Sequence, residues 1–475
     1  MDNFDVCIIG GGPAGYVAAL KLATFGFKVA VIEKERIGGT CLNRGCIPTK
    51  VLYSKAKYLS RLKSPAAGFS IDGYKINYDE IIDYKDKVVG LLAGGVEKLL
   101  KARNVTVFNG TGRISFAPDK KKSLPAKISV GYNNKTTIEF DANDVIIATG
   151  STPAMIPSFN IDHKNIVTSD EILSMRAVPS SMIIIGAGVI GCEFANVFNE
   201  FGVNIIMLEL LPSILSTEDK EVSRFIHKIF KAKGIDIRTS VAVETINSVD
   251  NGAVVTLKSG EKIEAEKVLV SIGRNLNTKG IGLEEAGVSI DPKGKIAVDM
   301  HNETSVKGIY ACGDITDGPM LAHKASYDAV IAAMSISGKS KEKDYNILPW
   351  SVYTSPEIGT VGLKEGDKAL ENVKYRVGRF SYGANGMALA MEEPEGFLKV
   401  LTEEGTGKIL GASGTGTDIA GLIAELAAFM HFNGSIEDVE FTIHSHPTIS
   451  EIVPEAVLDS IGEAIHKANP RTVRK

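Results

Sequence analysis

The sequence predicts a mixed α/β protein of several domains: two doubly wound α/β domains of one design, then an α+β domain with an antiparallel sheet. Three observations predict it. An apolar strand, a glycine-rich turn, a helix and a second strand ending in an acid occur twice, and in each copy the acid lies 18 positions after the last glycine, Gly15 to Glu33 and Gly191 to Glu209. Each copy closes on another short apolar run that ends at a glycine, 144–149 before Gly150-Ser151 and 268–272 before Gly273-Arg274. From about Tyr345 the pattern changes to strand-like runs at 351–354, 375–382 and 397–402, with an Ala-, Leu- and Ile-rich helix over 418–433. A length of 475 residues suits about three domains.

In the first copy, residues 5–9 read as a strand, Gly10-Gly11-Gly12-Pro13-Ala14-Gly15 as the turn, and a helix runs to about residue 25. Residues 28–32 form the next strand, ending at Glu33. This βαβ order is that of a Rossmann-like dinucleotide-binding domain. Gly10, Gly12 and Gly15 allow a tight turn and close approach to a pyrophosphate on the helix N-terminus, and Glu33 is placed to accept from a ribose.

Cys41 and Cys46 come next, within Gly38-Gly39-Thr40-Cys41-Leu42-Asn43-Arg44-Gly45-Cys46-Ile47-Pro48-Thr49-Lys50. A helix-compatible run over 48–57 comes directly after the second cysteine, with Pro48 suited to its first turn. A thiol beside a helix N-terminus meets the positive end of the dipole, and Lys50 adds charge one turn on. That is the setting of a thiol–disulfide exchange pair. Two buried structural cysteines, or half of a metal site, are the alternatives. A zinc site usually offers closer pairs, and no second Cys/His pair at suitable spacing occurs, so no metal is expected.

Residues 54–103 read as mostly helical with a break near 64–73, and strand-like pieces come after them at 105–108, 127–130 and 136–140. The second copy has a strand over 182–185, the turn Gly186-Ala187-Gly188-Val189-Ile190-Gly191, a helix to about 201 and a strand over 204–208 before Glu209. Two such domains imply two dinucleotides, and a hydride carrier with an electron relay is the natural pair. A strand over 308–311 then leads to Cys312-Gly313-Asp314, and Met320-Leu321-Ala322-His323 opens a helix. Asp314 ends a strand facing a ligand, or caps the following helix. In His444-Ser445-His446-Pro447-Thr448-Ile449-Ser450-Glu451, Glu451 is near enough to orient a histidine for acid–base work; two surface histidines are the alternative.

Net charge is −4, which argues against a general nucleic-acid or membrane-surface binder. No apolar run approaches the roughly 20 residues of a membrane span. Five cysteines do not make a secreted disulfide framework, and one reactive pair beside Cys7, Cys192 and Cys312 suits a reducing cytoplasm, as does a chain that starts directly on its first strand.

The stretch from Gly38 to Lys50 closely resembles the redox motif of the dihydrolipoamide dehydrogenases, flavin-dependent pyridine nucleotide-disulfide oxidoreductases. The resemblance extends to both glycine turns, Ala148-Thr149-Gly150, Cys312-Gly313-Asp314, Tyr353-Thr354-Ser355-Pro356-Glu357, and His446-Pro447 with Glu451. It implies an FAD-binding domain over 1–150 completed by 273–345, an NAD-binding domain over 151–272 and a dimerisation domain over 346–475. It implies FAD contacts at Gly10, Gly12, Gly15, Glu33, Lys50, Thr149, Gly150, Asp314 (on the ribityl side), Met320 and Ala322. NAD contacts are implied at Gly186, Gly188, Gly191, Glu209 and Gly273. Cys41 is then the thiol that exchanges with the lipoyl disulfide, and Cys46 the charge-transfer thiolate against the flavin. Lys50 sits near flavin N5 and pairs with Glu193, and His446, oriented by Glu451, is the acid–base catalyst supplied by the partner subunit of a homodimer. The implied reaction oxidises dihydrolipoamide and reduces NAD⁺. Its lipoyl arm is expected on another chain, in a 2-oxo acid dehydrogenase or glycine cleavage complex.

Four places depart from that family's pattern: Gly386-Met387 in place of a serine-arginine pair, Ser413 and Gly421 in place of His and Glu, and Ser326 in place of an acid. A glutathione-reductase-like enzyme is the nearest alternative, opposed by Leu42-Asn43-Arg44, Ile47-Pro48-Thr49 and the absence of basic residues after Glu209. A non-catalytic flavin-bearing subunit is the other, opposed by the intact cysteine pair with His446 and Glu451.

Overall fold

The structure is a computed structural model that describes residues 3–64, 66–132 and 136–468. The chain divides into two compact units, one of residues 1–51, 79–154 and 273–345, the other of 52–78, 155–272 and 346–475.

The first unit is built on a seven-stranded sheet. Its order is Thr106–Asn109, Val29–Glu33, Asn3–Ile9, Thr137–Ile147, Ala126–Gly131 and Thr111–Phe116, with Ile309–Ala311 also paired to Thr137–Ile147. The long strand Thr137–Ile147 changes partners along its length. Residues 137–142 run antiparallel to Ala126–Gly131, while 145–147 lie parallel between Asn3–Ile9 and Ile309–Ala311. The runs at 136–140 and 144–149 are therefore one strand. Polar Asp141 reads as a break in the sequence, but its backbone is paired on both sides, to Asn3 and Lys127. The parallel strands are Val- and Ile-rich because both faces are covered. Helices Pro13–Thr24 and Ala322–Ile336 pack Ala14, Ala18, Ala325, Ala329 and Ala332 against one face.

The second unit contains a five-stranded parallel sheet in the order Asp236–Arg238, Asn204–Leu208, Ser181–Ile185, Lys267–Val270 and Ile166–Val167. Its first four strands repeat the order around Asn3–Ile9, as the duplicated sequence requires. Between the repeats' matching strands lie a helix, Lys220–Ala232, and an antiparallel trio, Val243–Val249, Gly252–Leu257 and Lys262–Ala265, which the motif-led reading passed over. The same unit carries a second, antiparallel sheet in the order Trp350–Val352, Ile358–Gly362, Ile409–Thr415, Phe397–Glu403 and Tyr375–Ser381. Helices Ile419–His431 and Ile452–Asp459 bury Leu422, Ile423, Leu426, Val453 and Val457 on it. No helix among the described residues is long and apolar enough to cross a membrane.

Helix Ile452–Asp459 approaches strand Tyr375–Ser381 at Gly378, where an added Cβ would stand 2.0 Å from the Ala456 carbonyl oxygen. Gly378→Ala is expected to lower the stability of this unit by about 1–3 kcal/mol, the usual cost of overpacking. Thermal unfolding checks it; an unchanged Tm would show that the helix does not rest on this backbone.

Candidate active site

Each nucleotide-type turn is shaped by close backbone contacts. In the first copy an added Cβ on Gly10 would stand 2.3 Å from Ala148 O, and one on Gly15 1.8 Å from Gly10 O. In the second, Gly186 would meet Ser271 O at 2.5 Å and Gly191 would meet Gly186 O at 2.0 Å. Gly12 and Gly188 differ. A Cβ on Gly12 would meet nothing nearer than 3.7 Å, and one on Gly188 nothing within 4 Å. Packing within the chain does not demand glycine at these two positions. Glycine there leaves the backbone bare, as close approach of a ligand would require. Both precede 12-residue helices whose N-termini have no side-chain cap, so their N–H groups remain open to a phosphate.

The two acids are held identically. Glu33 accepts the Gly11 N–H on Oε2 at 2.7 Å and the Glu35 N–H on Oε1 at 2.8 Å. Glu209 accepts the Ala187 N–H on Oε2 at 2.6 Å and the Leu211 N–H on Oε1 at 2.8 Å. Each carboxylate is buried, fixed in direction, and retains lone pairs for two ribose hydroxyls. These turns thus fit a dinucleotide each.

The cysteine stretch is fastened to the first of them. Gly38 donates its N–H to Gly11 O at 2.8 Å, and a Cβ on Gly39 would stand 2.6 Å from Gly12 Cα. Gly39–Arg44 is a short helix that the sequence reading did not foresee, and it carries Cys41. Cys46 is the first residue of helix Cys46–Lys63, which starts two residues before the expected Pro48. Pro48 still falls in the first turn, where a missing N–H costs nothing. The Asn43 amide donates to the carbonyls of Gly39 and Ile37 at 3.0 and 3.1 Å, tying the short helix to the segment before it. The two half-buried thiols hydrogen-bond to each other. That bond, then burial, then the charge on Cys46 raise Cys41 well above the ordinary thiol range, while the Lys50 charge pulls the other way.

Elsewhere in this unit, Asn277 holds Thr149 and Gly150: its side-chain amide donates to Thr149 O at 3.0 Å and its N–H to Gly150 O at 2.9 Å. Asp314 accepts a hydrogen bond from Ser151 Oγ, and Ser151 Oγ in turn accepts from Arg274 Nε at 2.6 Å. Ser151 and Arg274 each follow a closing strand of the two copies, but nothing in the sequence brings their side chains together on Asp314. Ala322 begins a helix whose N-terminus has no side-chain cap, preceded by partly exposed Met320. Gly273, at φ +130°, precedes the strand Arg274–Leu276, which pairs with Ser151–Pro153. Asp314 and Ala322 thus lie near a third open helix start.

In the second unit, His446 Nδ1 donates to Glu451 Oε1 at 2.9 Å. The other carboxylate oxygen accepts the Thr448 N–H at 2.9 Å. Partial burial raises the Glu451 carboxyl, but those two hydrogen bonds outweigh it and hold the group below its ordinary range, so it is ionised at neutral pH. The His446 ring is 80% exposed, with Nε2 clear of hydrogen-bond partners among the described residues. His444 is instead clamped, between Glu425 at 2.7 Å and Thr442 O at 2.9 Å. Glu193 is buried on helix Val189–Glu200, where it accepts the Tyr353 N–H at 3.0 Å.

The departures lie beside these groups: Met387 and Gly421 line one cavity with Pro447 and Thr448, next to His446. Ser326 Oγ returns to Ala322 O at 3.1 Å, Met387 packs on the core of the antiparallel sheet, and Ser413 Oγ is buried with no hydrogen-bond partner among the described residues. A Cβ on Gly421 would meet nothing within 4 Å.

Residues 4–329 match the pyridine nucleotide-disulphide oxidoreductase family, and 348–457 match that family's dimerisation domain. The chain is 39% identical over 475 residues to dihydrolipoyl dehydrogenase of Bacillus subtilis, covering 98% of this chain and 99% of that one. It is 37% identical over 470 residues to the enzyme of that name from Halobacterium salinarum, covering 98% of each. Among solved structures, LpdA of Mycobacterium tuberculosis superposes with a TM-score of 0.90 at 27% identity, covering 96% of this chain and 99% of that one. The HOCl-induced flavoprotein disulfide reductase RclA of Escherichia coli superposes with a TM-score of 0.85 at 26% identity, covering 95% and 99%. With two glycine turns of one geometry, a facing thiol pair and both family models matched, the chain belongs to the pyridine nucleotide-disulphide oxidoreductases.

Proposed function

We propose that the chain is an NAD-dependent dihydrolipoyl dehydrogenase, which oxidises a protein-borne dihydrolipoyl group to its disulfide and reduces NAD⁺ to NADH. The observation that carries this reading is the mutually bonded Cys41 and Cys46 on helix starts fixed to the first nucleotide turn. FAD, when bound, supplies a two-electron relay between the dithiol and the nicotinamide. Gly10, Gly12, Gly15 and Glu33 suit its pyrophosphate and ribose, with Lys50, Thr149, Gly150, Asp314, Met320 and Ala322 along the rest of the molecule. Gly186, Gly188, Gly191, Glu209 and Gly273 serve NAD, and Glu193 places a buried carboxylate on the helix after that turn.

The thiol steps are set by this chain's residues. The Nδ1–H of His446 is committed to ionised Glu451, so Nε2 is the base and takes the proton of one substrate thiol. The substrate thiolate attacks Cys41 Sγ, and the Cys41–Cys46 bond breaks with Cys46 leaving as thiolate. The second substrate thiol gives up its proton to solvent, closes the lipoyl disulfide and releases Cys41, which receives the proton held on His446. Two electrons have then moved from substrate to dithiol. In total, dihydrolipoyl and NAD⁺ yield lipoyl, NADH and one proton. The match over 348–457 supports a homodimer in which His446 of one chain serves the dithiol of the other. The lipoyl arm comes from a carrier protein of a 2-oxo acid dehydrogenase or glycine cleavage complex, and a dithiol cycled in this way suits the cytoplasm.

The air-oxidised enzyme is expected to hold a Cys41–Cys46 disulfide that substrate opens. Dithiol reduction should bring up a broad long-wavelength absorption band. Cys46→Ser should abolish that band, while Cys41→Ser should show it without reductant. Alkylation with peptide mapping that finds both sulfurs free before reduction would overturn the pairing.

His446→Gln is expected to slow dihydrolipoamide oxidation by about 10²–10⁴, the usual worth of a general base, with flavin retained. Glu451→Gln should cost less, because the base remains and only its orientation is disturbed. Hybrid dimers of His446→Gln and Cys41→Ser chains should regain one working site in two. Inactive hybrids would place the histidine and the dithiol on the same chain.

Glu209 predicts strong preference for NAD⁺. A 2′-phosphate would bring negative charge against a buried carboxylate, and the chain continues Leu210-Leu211-Pro212-Ser213-Ile214-Leu215 with no cation to answer it. A preference of roughly a hundredfold or more in kcat/KM matches the loss of hydrogen bonds to a charged group, about 3 kcal/mol. Glu209→Ala should narrow the gap mainly by weakening NAD⁺ use. Equal efficiency with both nucleotides in the unaltered enzyme would refute the assignment.

A further inference from the structure

A buried ion pair stands behind the Asp314 turn and takes no part in the chemistry above. Lys324 Nζ and Asp328 Oδ2 lie 2.8 Å apart, one turn apart on helix Ala322–Ile336, at 1% and 0% side-chain exposure. Removing two charges from water costs several kcal/mol per ion, so such a pair seldom exceeds a well-packed apolar pair in stability. Its hydrogen bonds show what it does instead. Asp328 Oδ2 accepts the Gly313 N–H at 3.0 Å, and Lys324 Nζ donates to Gly313 O at 3.0 Å. Lys324 also donates to Thr316 Oγ1 at 2.7 Å, and Thr316 Oγ1 donates to Gly313 O at 2.9 Å. The other Asp328 oxygen accepts from Tyr345 OH, and the Asp328 carbonyl accepts from the Asn302 amide at 3.0 Å. Both polar groups of one residue are thus gripped by opposite charges. That residue is Gly313, at φ +85°, where a Cβ would press on Ala325 Cβ at 3.3 Å and Ala14 Cβ at 3.5 Å.

We propose that Lys324 and Asp328 are positioning residues for the flavin: by fixing the left-handed Gly313 peptide they set the direction of the Asp314 carboxylate, and so the hold on the polyol chain of the cofactor. The Asp314 side chain is aimed from one side by Ser151 and Arg274, and its backbone from the other by this pair. The proposal rests on the reading that Asp314 holds FAD.

The test is the rate of FAD release from holoenzyme, followed by flavin fluorescence on dilution, beside Tm and amide exchange at Gly313. The double substitution Lys324→Met with Asp328→Leu removes both charges at similar volume. It should leave the fold intact, deprotect the Gly313 amide and speed FAD release by about tenfold, the equivalent of one net hydrogen bond. Tyr345→Phe, which removes only one bond to Asp328, should speed release in the same direction by a few-fold with Tm almost unchanged, and it decides the matter if the double variant does not fold. In an Asp314→Ala background the Tyr345 and Lys324/Asp328 changes should add nothing further, since they act through that carboxylate. If Asp314→Ala speeds release but the other variants release FAD at the normal rate, or if their effects add in full to it, the positioning role is wrong and the Asp314 reading survives. If Asp314→Ala itself leaves release unchanged, the reading of Asp314 falls.

Discussion

The close backbone approach of Gly39 to Gly12 is the contact on which the first unit's chemistry depends. A side chain on Gly39 would collide with Gly12 Cα at 2.6 Å, and Gly38 is hydrogen-bonded to Gly11. The start of the Cys41 helix is therefore set by the same glycine turn that opens helix Pro13–Thr24. A redox pair need not be flexible to exchange disulfides; it needs one sulfur open to attack and the other held as a leaving group. In the reduced pair the Cys41 thiol is hydrogen-bonded to Cys46 and feels the charge of Lys50. Tying the pair to the nucleotide turn keeps the distance from sulfur to cofactor out of the hands of loop motion.

The duplicated halves show how one device is given two uses. Glu33 and Glu209 each accept one N–H from the glycine turn and one from two residues onward, at distances equal within 0.1 Å. The next residues along the chain differ: Lys34-Glu35 after the first acid, exposed Leu210-Leu211 after the second. In the first copy Glu35 is drawn into an ion pair with Arg44, so the acid-bearing strand end is linked to the cysteine helix. In the second the chain carries no charge at that point.

What the sequence made legible is what local chemistry dictates. The strand–turn–helix copies were legible because glycine spacing, apolar runs and a terminal acid all state the same thing. His446 with Glu451 was legible because five residues and a proline keep them within reach, and the two atoms do meet at 2.9 Å. The short helix under Cys41 was not, because it begins at Gly39 and is flanked by Gly38 and Gly45, glycines that argue for a turn; it is held by the Asn43 amide and by tertiary packing on Gly12. The continuous strand Thr137–Ile147 was hidden by the polar Asp141 and Asn143, of which Asp141 is paired from both sides. The antiparallel trio after residue 243 holds no motif, so a reading that followed motifs ran past it.

The buried Lys324 and Asp328 had a signal that spacing alone could have raised: opposite charges four apart on a helix otherwise made of Ala and Ile on its inner face. On an exposed helix that spacing is worth a few tenths of a kcal/mol and means little. On a helix whose other inward residues are apolar it requires a polar partner within the fold, because an unanswered buried charge is far too costly. The partner is the peptide of Gly313, one residue from the carboxylate that the motif Cys312-Gly313-Asp314 brought to notice. The visible motif and the unnoticed ion pair are two halves of one construction, in which the turn presents Asp314 and the helix behind it dictates where Asp314 points.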